Sequence, residues 1–364
     1  MTAIPSLVVP PRDRGRRMPR LLVVLLLILL PLVALEAGVR ILVATGRLPV
    51  AAAHLGNVEY AWASLARRGT ADVILFGDSM TQQGIDPKTL ADQLEPLVGH
   101  RPSTFSLASP GGGFGVNLGL AEQLAREGRL PKVAIVGVSY SSIETDSTFQ
   151  DAFAPSPMGQ LFTDCSRESG LDNVVSCKAS EVSMLWRWRG RMKRVLGSVL
   201  HPLATGSIKA PGGFLVRPDG FREGKPSTVS EIQAQIPQAL ADQPANLAVG
   251  AGVEDSFVSL VRTLVNGGTT VVLVGVPVSP VYQAALATAR PAWEGQRLAA
   301  VAQLSAAAGM PIVDPVSLGS WWTDGSSRDV NHLSKQGAPL FVQQLMSMPA
   351  FADPIVARLR AAGS

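Results

Sequence analysis

Short apolar runs alternate along this chain with longer segments of helical pattern, and this alternation limits the folds available to it. A run such as Val73–Phe76 is apolar at every position, which is typical of a strand buried on both faces of a sheet. The predicted strands are Asp72–Gly77, Thr104–Leu107, Val133–Gly137, Thr270–Gly275 and Pro311–Val313. The predicted helices are Pro87–Leu97, a segment after Gly113 that ends near Glu127, Phe257–Val265, Ala292–Ala308 and Ser334–Met346. Strands interleaved with helices predict an α/β fold of three layers, α/β/α, around a central parallel sheet.

The formal net charge of +4 comes from one end of the chain. Residues 1–20 hold five arginines and one aspartate, so residues 21–364 are neutral by subtraction. A basic surface of the kind that binds nucleic acid is therefore not indicated for the folded part. The composition thus predicts no nucleic-acid partner.

An apolar stretch, Leu21–Leu35, follows this basic segment directly. Extended to about residue 45, it is long enough to cross roughly 30 Å of hydrocarbon. Glu36 and Arg40 lie four residues apart near its outer end and can pair on one helix face. Because arginines favour the cytoplasmic side, we expect an uncleaved, single-pass anchor in the cell membrane with the bulk of the chain extracytoplasmic. A cleaved signal peptide, with Ala51–Ala53 as the cleavage site, is the alternative.

Residues 140–250 break the alternation of strands and helices. They are richer in Pro, Gly and Ser and contain both cysteines, Cys165 and Cys177, so we interpret them as an insertion over the functional edge of the sheet. A disulfide between the two cysteines fits an extracytoplasmic location, and two free thiols are the alternative. The predicted parts are a basic cytoplasmic tail (1–20), a transmembrane signal anchor (21–45), a stalk (46–70), the α/β domain (71–350) and a C-terminal tail helix (351–364).

A serine follows the first predicted strand. The strand ends in Gly77-Asp78-Ser79, and open parallel sheets place their chemistry at the carboxyl ends of their strands. A serine hydroxyl becomes a nucleophile once a base removes its proton, and the N–H groups of a following helix can stabilise developing negative charge. An ordinary turn with Asp or Ser as the helix N-cap is the alternative.

Of the four histidines, His332 has the surroundings of a catalytic base. Asp329 precedes it by three residues, and a helix start follows it at Leu333-Ser334. On one loop, the carboxylate would orient the imidazole and stabilise its cation while the other ring nitrogen faces Ser79. A loop histidine near a helix N-cap is the alternative.

In these residues the chain resembles the SGNH (GDSL-type) esterases and acyltransferases, including membrane-anchored members. The resemblance rests on Gly77-Asp78-Ser79, on the glycines at 111–113 and on Asp329-x-x-His332, and it frames about half of the chain. It implies a flavodoxin-like SGNH fold and makes 71–350 the catalytic domain. Ser79 would be the nucleophile, His332 the base and Asp329 its orienting acid.

The resemblance also implies an oxyanion hole formed by the backbone N–H groups of Ser79 and a glycine, here Gly112. The family carries Gly-x-Asn-Asp after the third strand, and its Asn side chain completes the hole. This chain has Gly137-Val138-Ser139-Tyr140 there, so the Asn is missing. Loss of one such donor typically lowers turnover by a factor on the order of 10²–10³. We take Ser139 as the substitute donor, with Asn117 as the alternative.

Together these features predict an extracytoplasmic enzyme that transfers acyl groups through an acyl-serine, as an esterase or an O-acyltransferase. The expected substrates are acylated carbohydrate, polymer or lipid of the cell envelope, and a multi-pass membrane acyltransferase is an expected partner. No cofactor is expected, and no metal, because the His and Cys spacings typical of metal sites are missing. The alternative is a non-catalytic envelope assembly or scaffold protein that retains the fold, which the missing Asn favours.

Overall fold

A five-stranded sheet forms the centre of the fold. The computed structural model describes residues 20–44, 61–62, 64–66, 68–144, 175, 178–179, 182–183, 216–243, 246–315 and 322–362. The strands are β1 (Val73–Phe76), β2 (Thr104–Ser106), β3 (Val133–Val138), β4 (Thr270–Gly275) and β5 (Ile312–Val313). All neighbouring strands are parallel, in the order β2-β1-β3-β4-β5. The predicted parallel sheet is confirmed.

Helices cover both faces of this sheet. The described helices are α1 (Arg20–Ala44), α2 (Ser79–Gly84), α3 (Pro87–Val98), α4 (Phe114–Arg126), α5 (Tyr140–Glu144), α6 (Val229–Asp242), α7 (Val253–Asn266), α8 (Pro280–Ala289), α9 (Trp293–Ala308), α10 (Gly337–Met346) and α11 (Pro349–Ala361). Ile74 and Phe76 of β1 pack in one cluster with α4, α7 and α9, whereas Val73 and Leu75 pack in a second cluster with α3, α10 and α11. Because successive side chains of a strand point to opposite faces, these two clusters are the two cores of a three-layer α/β fold.

Helix α1 occupies the segment that was predicted to be a membrane anchor. The predicted pair forms on it: Arg40 Nε lies 2.8 Å from a carboxylate oxygen of Glu36. Across the residues that the structure describes, no helix combines the length and the apolar character that a membrane crossing requires. The anchor therefore stays a prediction.

Parts of the predicted stalk and C-terminal tail belong to the folded unit. Ala61 and Leu65 are buried in the first core cluster, and Phe351, Ile355 and Leu359 of α11 are buried in the second. The domain thus uses residues on both sides of the predicted boundaries at 71 and 350.

The end of the predicted insertion covers the outer edge of the sheet. The N–H of Ser106 in β2 donates to the carbonyl oxygen of Asp219 at 2.8 Å, and the next residue, Gly220, accepts from the side chain of Gln82 at 3.3 Å. Covering an edge strand in this way removes a template for unwanted pairing. The predicted disulfide between Cys165 and Cys177 lies outside the described residues.

Candidate active site

Ser79 is the first residue of helix α2, directly beyond the carboxyl end of β1. Asp78 is the N-cap of this helix, and its side chain accepts from the N–H groups of Met80 at 2.9 Å and Thr81 at 3.2 Å. The cap satisfies two of the N–H groups that have no partner within a helix. It leaves the Ser79 N–H at the helix start, next to the Ser79 hydroxyl.

Ser79, His332 and Asp329 lie together in one hydrogen-bonded chain. His332 Nε2 lies 2.8 Å from Ser79 Oγ, and His332 Nδ1 lies 2.8 and 2.9 Å from the two carboxylate oxygens of Asp329. These distances are within the reach required of a nucleophile, its base and the group that orients the base. The structure therefore brings the three predicted catalytic residues together.

The loop that carries His332 is held at several points. Asp329 Oδ1 also accepts from the backbone N–H groups of Asn331 at 2.9 Å and His332 at 2.8 Å. The backbone of Arg328 donates to the carbonyl oxygen of His332 at 2.9 Å, and Ser327 and Leu333 form an antiparallel bridge. The imidazole is thus positioned by its own loop as well as by the carboxylate.

The charge of Asp329 determines which nitrogen of His332 carries the proton. Burial alone would raise the pKa of Asp329, but the hydrogen bond and charge of the His332 ring and the N–H groups of Asn331 and His332 lower it below its ordinary value. An ionised carboxylate only accepts hydrogen bonds. Nδ1 must then donate to Asp329, which leaves the lone pair of Nε2 to accept the Ser79 hydroxyl proton.

The side-chain donors predicted for an oxyanion hole are engaged in this structure. The hydroxyl of Ser139 donates to the carboxylate of Asp78. The amide of Asn117 donates to the carbonyl oxygen of Gly113 at 2.7 Å, and its oxygen accepts from the N–H of Gly77 at 2.9 Å. Both side chains therefore stabilise the turn around Ser79.

The predicted glycine donor is engaged as well. The N–H of Gly112 donates to the carbonyl oxygen of Ser109 at 2.9 Å, within the loop after β2. The N–H of Ser79 differs from the other predicted donors, because it has no acceptor within the described part of the chain. A second donor to the oxyanion would thus become available only if the 109–112 turn or the Ser139 hydroxyl rearranged.

Sequence reasoning missed the role of Thr81, which packs between two glycines. A Cβ at Gly137 would lie 2.0 Å from Thr81 Oγ1, and a Cβ at Gly77 would lie 2.3 Å from the same atom. Both positions must therefore lack a side chain for α2 to lie this close to the sheet. The available signal was a glycine within the otherwise apolar strand β3, which often marks close backbone approach.

Two arginines that the sequence did not single out lie beside the triad. Arg328 donates to the side-chain oxygen of Gln83 at 2.8 Å, and its Nε lies 3.7 Å from an oxygen of Asp329. Burial, together with the charge of Arg328, lowers the pKa of Arg222 to about 10. The site therefore has a positively charged side next to the carboxylate that orients His332.

Among the residues placed by the structure, no group of three or more His, Cys, Asp or Glu side chains could hold a metal ion. No protein-family model matches the chain, and no curated protein matches its sequence. The candidate site is therefore defined by its own geometry: a serine at the end of a parallel strand, hydrogen-bonded to a histidine that an ionised aspartate orients.

Proposed function

We propose that this chain is a serine-dependent acyl-transfer enzyme of the SGNH (GDSL) type. The observation that carries the proposal is the 2.8 Å contact between Ser79 Oγ and His332 Nε2, with the opposite nitrogen of the ring held by Asp329. The strand order supports it, since 2-1-3-4-5 is the order of flavodoxin-like sheets, which bind ligands at the carboxyl ends of their strands.

The geometry suits a two-step reaction. Ser79 Oγ attacks an ester carbonyl carbon while His332 Nε2 takes its proton, and Asp329 stabilises the imidazolium that forms. The N–H of Ser79 stabilises the negative oxygen, and His332 then returns the proton to the departing alcohol. Water or a sugar hydroxyl, deprotonated by His332, next attacks the acyl-serine and regenerates Ser79. An esterase and an O-acyltransferase share these steps and differ in the second acceptor.

We further propose that the enzyme is anchored in the cell membrane through α1 and acts outside the cytoplasm. Leu27, Leu30 and Val33 of this helix expose 62–69% of their surface, and five arginines precede or begin it. An enzyme placed in this way would act on acylated glycan, polymer or lipid of the cell envelope, and we propose a multi-pass membrane acyltransferase as its partner.

A non-catalytic envelope assembly protein is the second candidate. The observation that favours it is the engagement of Ser139 with Asp78 and of Gly112 with Ser109, because one oxyanion donor supports only slow turnover. The two candidates differ in whether the Ser79 hydroxyl is reactive.

Labelling with a small fluorophosphonate tests that reactivity. We expect the full-length protein to be labelled, Ser79→Ala to take up no label and His332→Ala to react far more slowly, because the hydroxyl needs its base. Ser230→Ala and His100→Ala are matched controls, since both residues are exposed, and they should label like the unaltered protein. Label on Ser79→Ala equal to that on the unaltered protein would remove the assignment.

A further inference from the structure

A small apolar cavity lies where strands β3 and β4 end beneath helix α9. Its lining includes Val138, Tyr140, Val276, Val278, Trp293 and Val301. Its volume is about 20 Å³. By the same measure, a cavity needs roughly 10–15 Å³ to hold one water molecule. The space therefore suits one small group, such as a hydroxyl or a methyl at the end of a chain.

The cavity is next to the elements that carry the triad. Val276 packs against α2, since its Cγ1 would lie 3.2 Å from a Cβ placed at Gly84. Ser279 follows Val278 directly, and its N–H donates to the carbonyl oxygen of Val330, in the His332 loop, at 2.9 Å. One wall of the cavity is thus shared with the supports of Ser79 and His332.

One polar group in the lining has no partner. Trp293 is 3% exposed, and its indole N–H makes no hydrogen bond within the part of the chain that the structure describes. Tyr140 packs against this ring edge-on, with ring centroids 6.0 Å apart. A buried donor without an acceptor is unfavourable, so the indole N–H points to an oxygen that a ligand would supply.

The two charged residues in the lining, Glu294 and Arg297, favour a neutral ligand. Arg297 is held by two carboxylates, at 2.7 Å from Glu294 and 2.8 Å from Asp314. Its charge is therefore already balanced, and an anionic acyl group would meet no uncompensated cation there. The fully buried donor that faces a ligand without a partner among the described residues is the indole N–H of Trp293.

We infer that this cavity is the inner end of the acyl pocket of the proposed enzyme and receives the hydroxyl of a short acyl group that bears a neutral oxygen beyond the ester carbonyl, as hydroxyacyl groups do. The inference rests on the proposed function. The valine side chains would contact the carbon chain, and the Trp293 N–H would donate to the additional oxygen.

The first test compares 4-nitrophenyl esters of butyrate and 3-hydroxybutyrate. The full-length protein should favour the hydroxylated ester by roughly five- to tenfold in kcat/KM, as expected for one neutral hydrogen bond. Trp293→Phe should reduce the ratio of the two kcat/KM values to about one, because phenylalanine keeps an aromatic ring in the lining but has no N–H to donate. No preference in the unaltered protein, or an unchanged preference in Trp293→Phe, overturns the assignment of the indole N–H.

The second test fills the cavity. Val301→Phe should lower kcat/KM for the butyrate ester about tenfold or more relative to the acetate ester, because the smaller acyl group needs less of the cavity. Leu298→Phe is the matched control, since Leu298 is on the same helix and 49% exposed. Equal losses on both esters, or no loss on butyrate, contradict the acyl pocket.

Fluorophosphonate labelling of the same preparations separates the two proposals. Labelling at Ser79 without the predicted ester preferences overturns the acyl pocket alone. An unaltered protein that takes up no label overturns the proposed function and the acyl pocket with it. If Trp293→Phe fails to fold, as thermal unfolding would show, the Val301→Phe comparison decides.

Discussion

Asp329 combines two tasks in one carboxylate. It accepts from the ring of His332 and from two backbone N–H groups of its own loop. Its lowered pKa means that the folded protein binds this proton less tightly than the unfolded chain does. The resulting stabilisation is present above the ordinary pKa of 3.8 and is lost as the pH falls through the lower pKa of the folded state.

Asp329→Asn tests both tasks. Turnover should fall by a factor on the order of 10³–10⁴, because the amide no longer holds the required tautomer of His332. The variant should also be less stable than the unaltered protein at pH 7, and this difference should shrink as the pH falls below 3.8. Urea unfolding from pH 7 to pH 3 measures it.

The control for this change is Asp353→Asn, since Asp353 is exposed and no such pH dependence is expected from it. A stability difference for Asp329→Asn that is constant over the whole range would mean that the carboxylate contributes nothing through its charge.

The proximity of Ser79, His332 and Asp329 could be predicted from the sequence, whereas the state of the proposed oxyanion donors could not. Ser79 follows an apolar run and His332 stands before a helix with Asp329 three residues ahead, so residue type and position suffice. Whether the N–H of Gly112 is available depends on the turn it closes onto Ser109. The direction of the Ser139 hydroxyl likewise depends on Asp78, which is distant in the sequence.

At the scale of elements, the position of α2 depends on the absence of a side chain in β3. Gly137→Ala would place a Cβ 2.0 Å from Thr81 Oγ1 and 2.8 Å from its Cβ, so either α2 or the strand must move. We expect a loss of about 1–3 kcal/mol in the free energy of unfolding, measured by denaturant titration, together with weaker fluorophosphonate labelling because Ser79 is on α2.

Gly295→Ala is the contrasting variant. Gly295 lies within α9, and no atom comes within 4 Å of a Cβ placed there, so this change should stabilise the protein by about 0.4–1 kcal/mol. Gly137→Ala with unaltered stability would show that α2 adjusts freely, and the close packing described here would then be unimportant.

The segment that covers the edge strand β2 also depends on one glycine. Gly220 has φ +84°, and a Cβ there would lie 1.9 Å from the carbonyl oxygen of Ser106. Gly220→Ala should therefore lower the free energy of unfolding by more than about 1 kcal/mol. It should also promote aggregation, because it displaces the segment that covers an edge strand. Unfolding and light scattering are the measurements.

Gly252→Ala separates backbone strain from the steric clash, since Gly252 has φ +77° with nothing within 4 Å of an added Cβ. Both variants carry the backbone strain, but Gly220→Ala also carries the steric clash. The larger loss in the free energy of unfolding should therefore belong to Gly220→Ala. Equal costs would contradict a role for the contact with Ser106.

The prediction of elements succeeded where periodicity extended over several turns. Helix α9 was expected at 292–308 and spans Trp293–Ala308. The short helix α2 has six residues, too few to show a helical period. Helix α8 is not among the helices predicted from the sequence; the structure shows Ser279 as its N-cap and Pro280 in its first turn, a position where proline starts a helix.

At the scale of the whole molecule, the proposed membrane anchor determines where the chemistry takes place. Leu29→Arg combined with Val33→Arg would put two charges on exposed positions of α1, each costing about 2.5–3.5 kcal/mol within a bilayer. We expect the unaltered protein to stay in carbonate-washed membranes and the double variant to be lost from them, as immunoblotting of the fractions would show.

Leu298→Arg is the control, because Leu298 is also exposed but lies on α9, and it should remain in the membrane fraction. If carbonate releases the unaltered protein, α1 does not anchor the chain.

The hydrogen bond between Ser79 and His332 joins residues 253 positions apart, and strands β3, β4 and β5 are all formed by the chain between them. Contacts of such long range form late in folding. In a nascent polypeptide, the Ser79 hydroxyl would therefore be present long before the His332 imidazole has been synthesised. If the chain is exported as proposed, Ser79 would stay unreactive until nearly the whole chain had crossed the membrane, and attack on neighbouring esters during export would be avoided without an inhibitor.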